Sequence, residues 1–500
     1  MGSMVAGNMT LRQLLADVEL PGVQLPEEWV DTLISGVTLD SRSVRPGDLF
    51  IAVPGTVADG RKFIPQALQS GAAVVLAEAG GGIDRQDRVI EIEGLLHKAS
   101  AIAASFYGDP SRSISMTGVT GTNGKTTCTQ LLAQLFGFLE QTSGVLGTLG
   151  YGVVKPDTST LISTGMTTPD AVAVQAILAE LKELGVRQVA MEVSSHSLTQ
   201  GRVEAVHFDT AIFTNLSQDH LDYHGTMDAY SDAKARLFSY PGIRCAIINV
   251  DDAMGARLSA ELRDDIELYR YSLKDTHAEI HASGIELAAG GITAEVKTPW
   301  GSGQLKSSLL GEFNLSNLLA IIAAACMQGF ALEDVLAAVP KLQPIPGRME
   351  QVVPKGRPQI VVDYAHTPDA LKQVLLALRM HCEGKLWCVF GCGGDRDQGK
   401  RPLMGEVASQ LADHVIVTSD NPRGESAIAI IDAIVAGTDG RAKIRVDRAE
   451  AIEYAVVRAA LEDTVLLAGK GHETYQVIGE TRLPFSDITQ ARLALRRRGD

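Results

Sequence analysis

The sequence predicts an α/β protein of three domains: a central doubly wound sheet domain built on a P-loop, a smaller N-terminal α/β unit, and a C-terminal Rossmann-like unit. Three observations predict it. Short apolar runs alternate with helical-period segments along almost the whole chain. The 500 residues suffice for about three domains at roughly 150 residues each. Finally, Gly118-Val119-Thr120-Gly121-Thr122-Asn123-Gly124-Lys125-Thr126-Thr127 stands between an apolar run and a helical pattern, the context in which a nucleotide's phosphates are held.

The first unit, residues 1–94, carries short apolar runs at Val37 to Leu39, Leu49 to Val53, Ala72 to Leu76 and Val89 to Ile92, with a helix expected from Ile64 to Ser70. The second, 95–345, holds strand candidates at Ser113 to Thr117, Val189 to Val193, Thr210 to Phe213 and Ala246 to Val250. Alternation through Ile292 to Val296, followed by a turn before Leu305, reads as an inserted hairpin ahead of a helix near Asn314. Past Pro344-Ile345-Pro346-Gly347, read as a hinge, the rhythm restarts in the third unit, 346–500. Its strands are expected at Ile360 to Val362, Leu386 to Phe390, Val415 to Thr418 and Val465 to Leu467. Polar clusters follow these strands, where open α/β sheets gather ligands.

Composition narrows the function. Lys and Arg total 45 against 60 Asp and Glu, a formal charge of −15, which disfavours a nucleic-acid partner. The apolar stretch Leu318 to Leu332 is too short for a membrane span and is interrupted by Gln328 and Gly329. No secretion signal is recognised, and the opening Met-Gly-Ser-Met reads as a cloning remnant. Cys128, Cys245, Cys326, Cys382, Cys388 and Cys392 lack metal-type spacing and read as reduced, mostly buried thiols. A cytoplasmic monomer is expected.

In the phosphate loop, the glycines of Gly121-Thr122-Asn123-Gly124 let backbone N–H groups close on phosphate oxygens. Lys125 reaches the β/γ-phosphates and the Thr126 hydroxyl suits Mg²⁺. The glycine spacing departs from the strict pattern, since Val119 stands five before Gly124. Glu192, closing the strand before Ser194-Ser195-His196, is the first metal candidate. His220 and His224 have the spacing of a zinc pair, but Leu221 stands where a metalloprotease needs Glu. From the residues alone, Lys234 is either a solvated lysine or a desolvated amine able to react with CO₂.

Gly121-Thr122-Asn123-Gly124-Lys125-Thr126-Thr127, the Glu192 to His196 stretch, Asp219-His220-Leu221-Asp222-Tyr223-His224, Gly347-Arg348-Met349-Glu350 and Gly469-Lys470-Gly471-His472-Glu473 together resemble the Mur ligases of peptidoglycan synthesis, in order and over nearly the whole chain. The resemblance implies an ATP-dependent amide ligase adding meso-diaminopimelate to UDP-N-acetylmuramoyl-L-alanyl-D-glutamate through an acyl phosphate. It implies two Mg²⁺, one near Thr126 and Glu192, the other at His220 and a CO₂-derived carbamate on Lys234. It also implies nucleotide contacts at Thr127, Asn314, Arg348 and Asp363. Leu39 and Ser41, with Thr56, Val57 and Ala58, match the uridine side. Met166, Thr167, Thr168, Ser194, Gln200 and Arg202 match the muramoyl-dipeptide side, although some relatives carry Asn where Met166 stands.

Asp420-Asn421-Pro422-Arg423 resembles the motif of diaminopimelate-accepting enzymes, with Arg396, Gly469 and Glu473 completing the pocket. A bidentate arginine suits the extra carboxylate. Other readings stay open: a lysine-adding Mur ligase, a folylpolyglutamate synthetase-like ligase, or, from another class, a P-loop nucleotide switch.

Overall fold

Four parallel strands, Gly36–Thr38, Asp48–Ala52, Val74–Glu78 and Val89–Ile92, stand in chain order in the first sheet. The computed structural model describes residues 8–55, 58–80, 87–155, 160–288, 290–352 and 357–498. Thr56, Val57 and the opening Met-Gly-Ser-Met lie outside them. The helix Leu95–Phe106 buries Leu95, Ala99, Ile102 and Phe106 against this first sheet, and the same apolar cluster includes Ala171 and Val172 of the central helix Ala171–Glu183. A boundary drawn at residue 94 assigns that helix to the second unit, whereas its packing ties it to both. Its apolar stripe is wide enough to serve two neighbours.

Among the described residues the central sheet has ten strands. Their spatial order is Gly301–Ser307, Gly291–Thr298, Ile280–Ala288, Glu267–Ser272, Cys245–Asn249, Thr210–Phe213, Ser115–Thr120, Gln188–Glu192, Ser143–Gly147 and Gly150–Val154. The middle of the sheet is parallel and both edges are antiparallel. The expected hairpin is therefore not a free-standing insert. With Ile280–Ala288 it forms a three-stranded antiparallel extension of the nucleotide sheet. The chain leaves Ser115–Thr120 towards one side and later returns to the other, so the P-loop lies at the strand-order switch, where such sheets open a crevice.

The first part of the stretch too short for a membrane span lies in the helix Glu312–Met327, which ends before Gln328 and Gly329, with Leu318 through Ala325 fully buried among Leu131, Leu132, Leu135 and Phe136 of the loop helix Lys125–Phe138. Apolar residues all round it reflect burial on all sides. No described helix is long and apolar enough to cross a membrane. All six cysteines are free and five are buried. Burial pushes the Cys388 thiol up to about 12, so it behaves as a small apolar side chain.

In the third sheet the strand order is Glu350–Val352, Gln359–Asp363, Thr464–Ala468, Leu386–Phe390, His414–Val417 and Lys443–Ile444, parallel except at the first pair. Asp463 ties the start of its own strand, Thr464–Ala468, to that of its neighbour Leu386–Phe390. Its carboxylate accepts from Lys385 N at 2.8 Å, Trp387 Nε1 at 2.9 Å and Ala460 N at 2.8 Å. Burial alone would raise its pKa, but these three bonds hold it below the ordinary carboxylate value.

Because the folded pKa is depressed, this stabilisation is complete above the unfolded value and is lost as pH falls through the folded one. Asp463→Asn is expected to lower unfolding stability by about 1–3 kcal/mol at pH 7, measured by urea titration. The gap should stay flat to about pH 5 and shrink below about pH 4. A gap that widens on acidification would contradict the assignment.

Candidate functional site

Gly121 and Gly124 take positive φ angles of 146° and 88°, which let the chain fold back before the loop helix begins at Lys125. A side chain on Gly121 would overlap the Thr214 hydroxyl, and one on Gly124 would meet Asn317 Oδ1 at 2.7 Å. The loop is fastened to the segment that follows Thr210–Phe213. Asn123 N donates to Asn215 Oδ1 at 2.9 Å, Thr122 N to Asn215 O at 2.8 Å, and the Thr122 hydroxyl lies 3.2 Å from Tyr230 Oη. Asn215, Ser217 and Tyr230 thus shape the loop that the sequence marks for phosphate, although Tyr230 carries no sequence signal beyond a helical position.

Two lysines converge on one carbonyl. Lys125 Nζ and Lys234 Nζ each donate to Gly121 O at 2.8 Å, and Lys125 also donates to Thr122 O at 2.9 Å. Lys234 is 1 % exposed and lies 4.3 Å from the Tyr230 ring centroid. Its pKa falls well below the ordinary lysine value, first through burial and then through repulsion by Lys125. Lys125 is lowered by burial too, while Glu192 and Asp219 partly restore it. His220, half-exposed, caps a short helix at φ 54°. Its ring centroid is 6.1 Å from that of Tyr230 and 4.8 Å from that of His196, so His220 and Lys234 face the same tyrosine.

The Glu192 carboxylate is fully buried and accepts from Thr126 Oγ1 at 3.0 Å, Thr148 Oγ1 at 3.0 Å and Thr148 N at 2.8 Å. Thr148 has no motif of its own; the edge hairpin turn delivers it. Thr167 continues the hydroxyl chain, 3.0 Å from Thr148. Thr168 donates to Glu192 O at 2.8 Å and accepts from Ser194 N at 3.2 Å, and Ser194 also caps the following helix. Arg202 donates to Thr168 O at 2.7 Å and to Gln200 Oε1 at 2.6 Å, while exposed Met166 places its sulfur 3.8 Å from the same guanidinium. The structure therefore gathers Met166, Thr167, Thr168, Ser194, Gln200 and Arg202 on one rim beside Glu192.

From the hinge, Arg348 stacks 4.6 Å from the Tyr364 centroid and reaches Thr126 Oγ1 at 3.4 Å. Its Nε is buried without a partner among the described residues, as expected of a group awaiting an anion. Asp363 accepts from Met349 N at 2.8 Å and Ala365 N at 2.7 Å; burial raises its pKa against the pull of Arg348. Asn314 is buried in its helix, donating to Leu310 O and accepting from Asn317, the residue facing Gly124. Asn123 Nδ2 meets Asp369 Oδ2 of the third domain at 3.5 Å. Both sides of the hinge thus address the phosphate loop.

The donor set suits Mg²⁺. Thr126 and Glu192 offer oxygen ligands side by side. This fits an ion that takes few protein ligands and completes its shell from phosphates and water.

The remaining positions fall in two places. Leu39 and buried Ser41, whose hydroxyl lies 3.4 Å from Gln66 Oε1, sit in the first domain with exposed Ala58. Asp420, Asn421, Pro422, Arg423, Gly469 and Glu473 cluster at strand ends in the third. Arg423 Nη1 donates to Gly394 O at 2.8 Å, and Asn421 Nδ2 to Glu473 Oε2 at 2.8 Å. Exposed Arg396 bonds only to Asp395 O among the described residues, yet flanks Gly393 together with Arg423. Fully buried Lys470, inside the quoted glycine motif, donates to Asn421 Oδ1 at 3.1 Å and Glu473 Oε2 at 2.9 Å. Sequence reasoning passed over it.

Comparison with known proteins agrees with this layout. Residues 33–106 match the Mur ligase family catalytic domain, 119–325 the Mur ligase middle domain, and 347–471 the Mur ligase glutamate ligase domain. The UDP-N-acetylmuramoyl-L-alanyl-D-glutamate–2,6-diaminopimelate ligase of Pseudomonas aeruginosa is 53% identical over 475 residues, 94% of this chain and 96% of that protein. The enzyme of the same name from Coxiella burnetii is 48% identical, with coverages of 93% and 96%. A solved structure of a ligase of that name superposes with a TM-score of 0.72 at 36% identity, covering 98% of this chain and 99% of its own.

Gly121→Ala is expected to weaken Mg-ADP binding by at least about tenfold, ~1.4 kcal/mol, because the new methyl group displaces Thr214 and strains the loop. Titration calorimetry reads this directly; unchanged affinity would place the phosphates elsewhere.

Proposed function

The chain belongs to the Mur ligase family, and on that premise we propose that it uses ATP to join meso-diaminopimelate to UDP-N-acetylmuramoyl-L-alanyl-D-glutamate. The observation that carries the reading is the pocket at the third domain's strand ends. There Arg423 and the Asp420/Glu473 carboxylates sit in one loop cluster, matching an amino acid with a second carboxylate and a second ammonium.

Two displacements make up the reaction. An oxygen of the substrate's glutamate carboxylate attacks the γ-phosphorus of ATP; the new O–P bond forms, the bond to the β-phosphate oxygen breaks, and ADP leaves. The diaminopimelate amine then attacks the acyl carbon; a C–N bond forms, the C–O bond to phosphate breaks, and inorganic phosphate and the amine proton depart. Both steps concentrate negative charge, so electrostatic stabilisation is the chief demand. Lys125 and the loop N–H groups neutralise the phosphates from below, and Arg348 does so from the hinge side. Arg202 orients the acceptor's anionic groups, and Arg423 the incoming amino acid. Thr126 and Glu192 would hold one Mg²⁺, and His220 with carbamylated Lys234 a second; bound there, the ions supply charge neutralisation and phosphate orientation.

Burial and the neighbouring Lys125 favour the neutral amine of Lys234, the form that attacks CO₂ to give an N-carboxylate and a released proton. The product keeps an N–H for Gly121 O while replacing a repelled cation with an oxygen ligand. A cytoplasmic, monomeric enzyme acting on soluble precursors completes the reading.

An amino-acid panel scored by ADP release tests it. Release should require both the UDP-muramoyl dipeptide and an amino acid, with diaminopimelate preferred over lysine. Equal use of lysine would defeat the specificity, and release without either substrate would favour a nucleotide switch. Lys234→Ala is expected to lose at least about a hundredfold in kcat and to recover in part when formate or acetate is supplied. No recovery at any concentration would argue against the carbamate.

A further inference from the structure

Behind the amino-acid pocket, three carboxylates and two cations stand together, all buried except the partly exposed Glu473. Arg448 opens the helix Arg448–Arg458 and Asp487 opens the C-terminal helix Asp487–Arg497; both side chains are 0 % exposed. Arg448 Nε and Nη2 hold Asp487 at 2.8 and 2.7 Å, and Nη2 also donates to Ala468 O at 2.8 Å. Its remaining nitrogen, Nη1, is buried without a hydrogen-bond partner among the described residues and stands 4.0 Å from Asp420 Oδ2. On the other side Lys470 Nζ, committed to Asn421 and Glu473, stands 3.8 Å from Asp420 Oδ1.

Asp420 is thus flanked by two buried cations, yet no hydrogen bond reaches its carboxylate oxygens among the described residues. Beside it Gly469, at φ 110°, leaves open the space that a side chain would fill 2.5 Å from Asp420 Oδ2. Counted as ions, Asp420, Glu473 and Asp487 against Arg448 and Lys470 leave one negative charge unmatched, and burial raises the Asp420 pKa even against the pull of those two cations. A buried imbalance of that sign is relieved by one incoming cation.

We propose that Arg448, seated by Asp487, is a positioning residue for Asp420, and that this pair sets the pocket's demand for an amino acid with a second ammonium group. The proposal rests on the ligase reading above. Asp487 draws Arg448 back, so the guanidinium attracts Asp420 without occupying its oxygens, which stay available to the ligand. If the Asp487 charge is removed, Arg448 is free to close on Asp420, the cluster becomes neutral, and the ligand's ammonium loses both its acceptor and its electrostatic reward.

Steady-state kinetics of the full-length protein test this with diaminopimelate and with 2-aminopimelate, which keeps both carboxylates but has a single amine. Asp487→Asn is expected to raise KM for diaminopimelate about tenfold, with kcat and the KM for ATP within about twofold of wild type. KM for 2-aminopimelate should be unmoved, and Asp487→Glu should restore most of the loss. An equal rise for both amino acids, a rise shared with ATP, or no change would overturn the proposal. Should circular dichroism find Asp487→Asn unfolded, Arg448→Lys carries the same comparison, since it keeps the charge and loses the two-pronged seat. A wild type whose ADP release ignores diaminopimelate would remove the ligase reading itself, and the proposal with it.

Discussion

The backbone oxygen of Gly121 accepts from two lysines at once, and the site depends on that crowding. In a chain of net charge −15, attraction for a triphosphate cannot come from the whole molecule, so it must be concentrated locally. Two ammonium groups near one carbonyl repel each other, and burial raises the cost of keeping both charged. The fold resolves this unevenly: both feel Asp219, but Lys125 also keeps Glu192 nearby, while Lys234 sits against Tyr230. One nitrogen remains suited to phosphate, the other to becoming a neutral amine.

The rest of the architecture serves to bring other groups to this point. The edge hairpin carries Thr148 to Glu192, and the hinge carries Arg348 to Thr126. Buried His381 adds a further tie between the third domain and the nucleotide domain, bonding Ala288 O at 2.6 Å and Gly311 N at 3.1 Å. Gly311 precedes the helix that holds Asn314, so the same tie steadies the asparagine that the resemblance assigns to the nucleotide.

Much of the fold was legible because its signals are local. The strand Leu386–Phe390 coincides with an apolar run, and the loop helix follows Gly124 as its periodicity demands. The edges were harder to read. Ser143–Gly147 and Gly150–Val154 are rich in glycine and do not alternate cleanly, and their strand character comes from pairing with neighbours. The helix Leu95–Phe106 packs against both the first sheet and the helix Ala171–Glu183, and a boundary drawn along the sequence says nothing of how many partners an apolar face will meet.

For the site the division is similar. The sequence by itself marked the phosphate loop and Glu192, because their chemistry and backbone demands are written in adjacent residues, whereas Lys234 and the Asp-Asn-Pro-Arg turn stood out only through the resemblance to the Mur ligases. Only the tertiary structure decided that Lys234 shares a carbonyl with Lys125, that Thr148 bonds Glu192, and that Arg448 and Asp487 stand behind Asp420. Burial and electrostatic neighbours act through space, between residues that are far apart along the chain, and only folding brings them together.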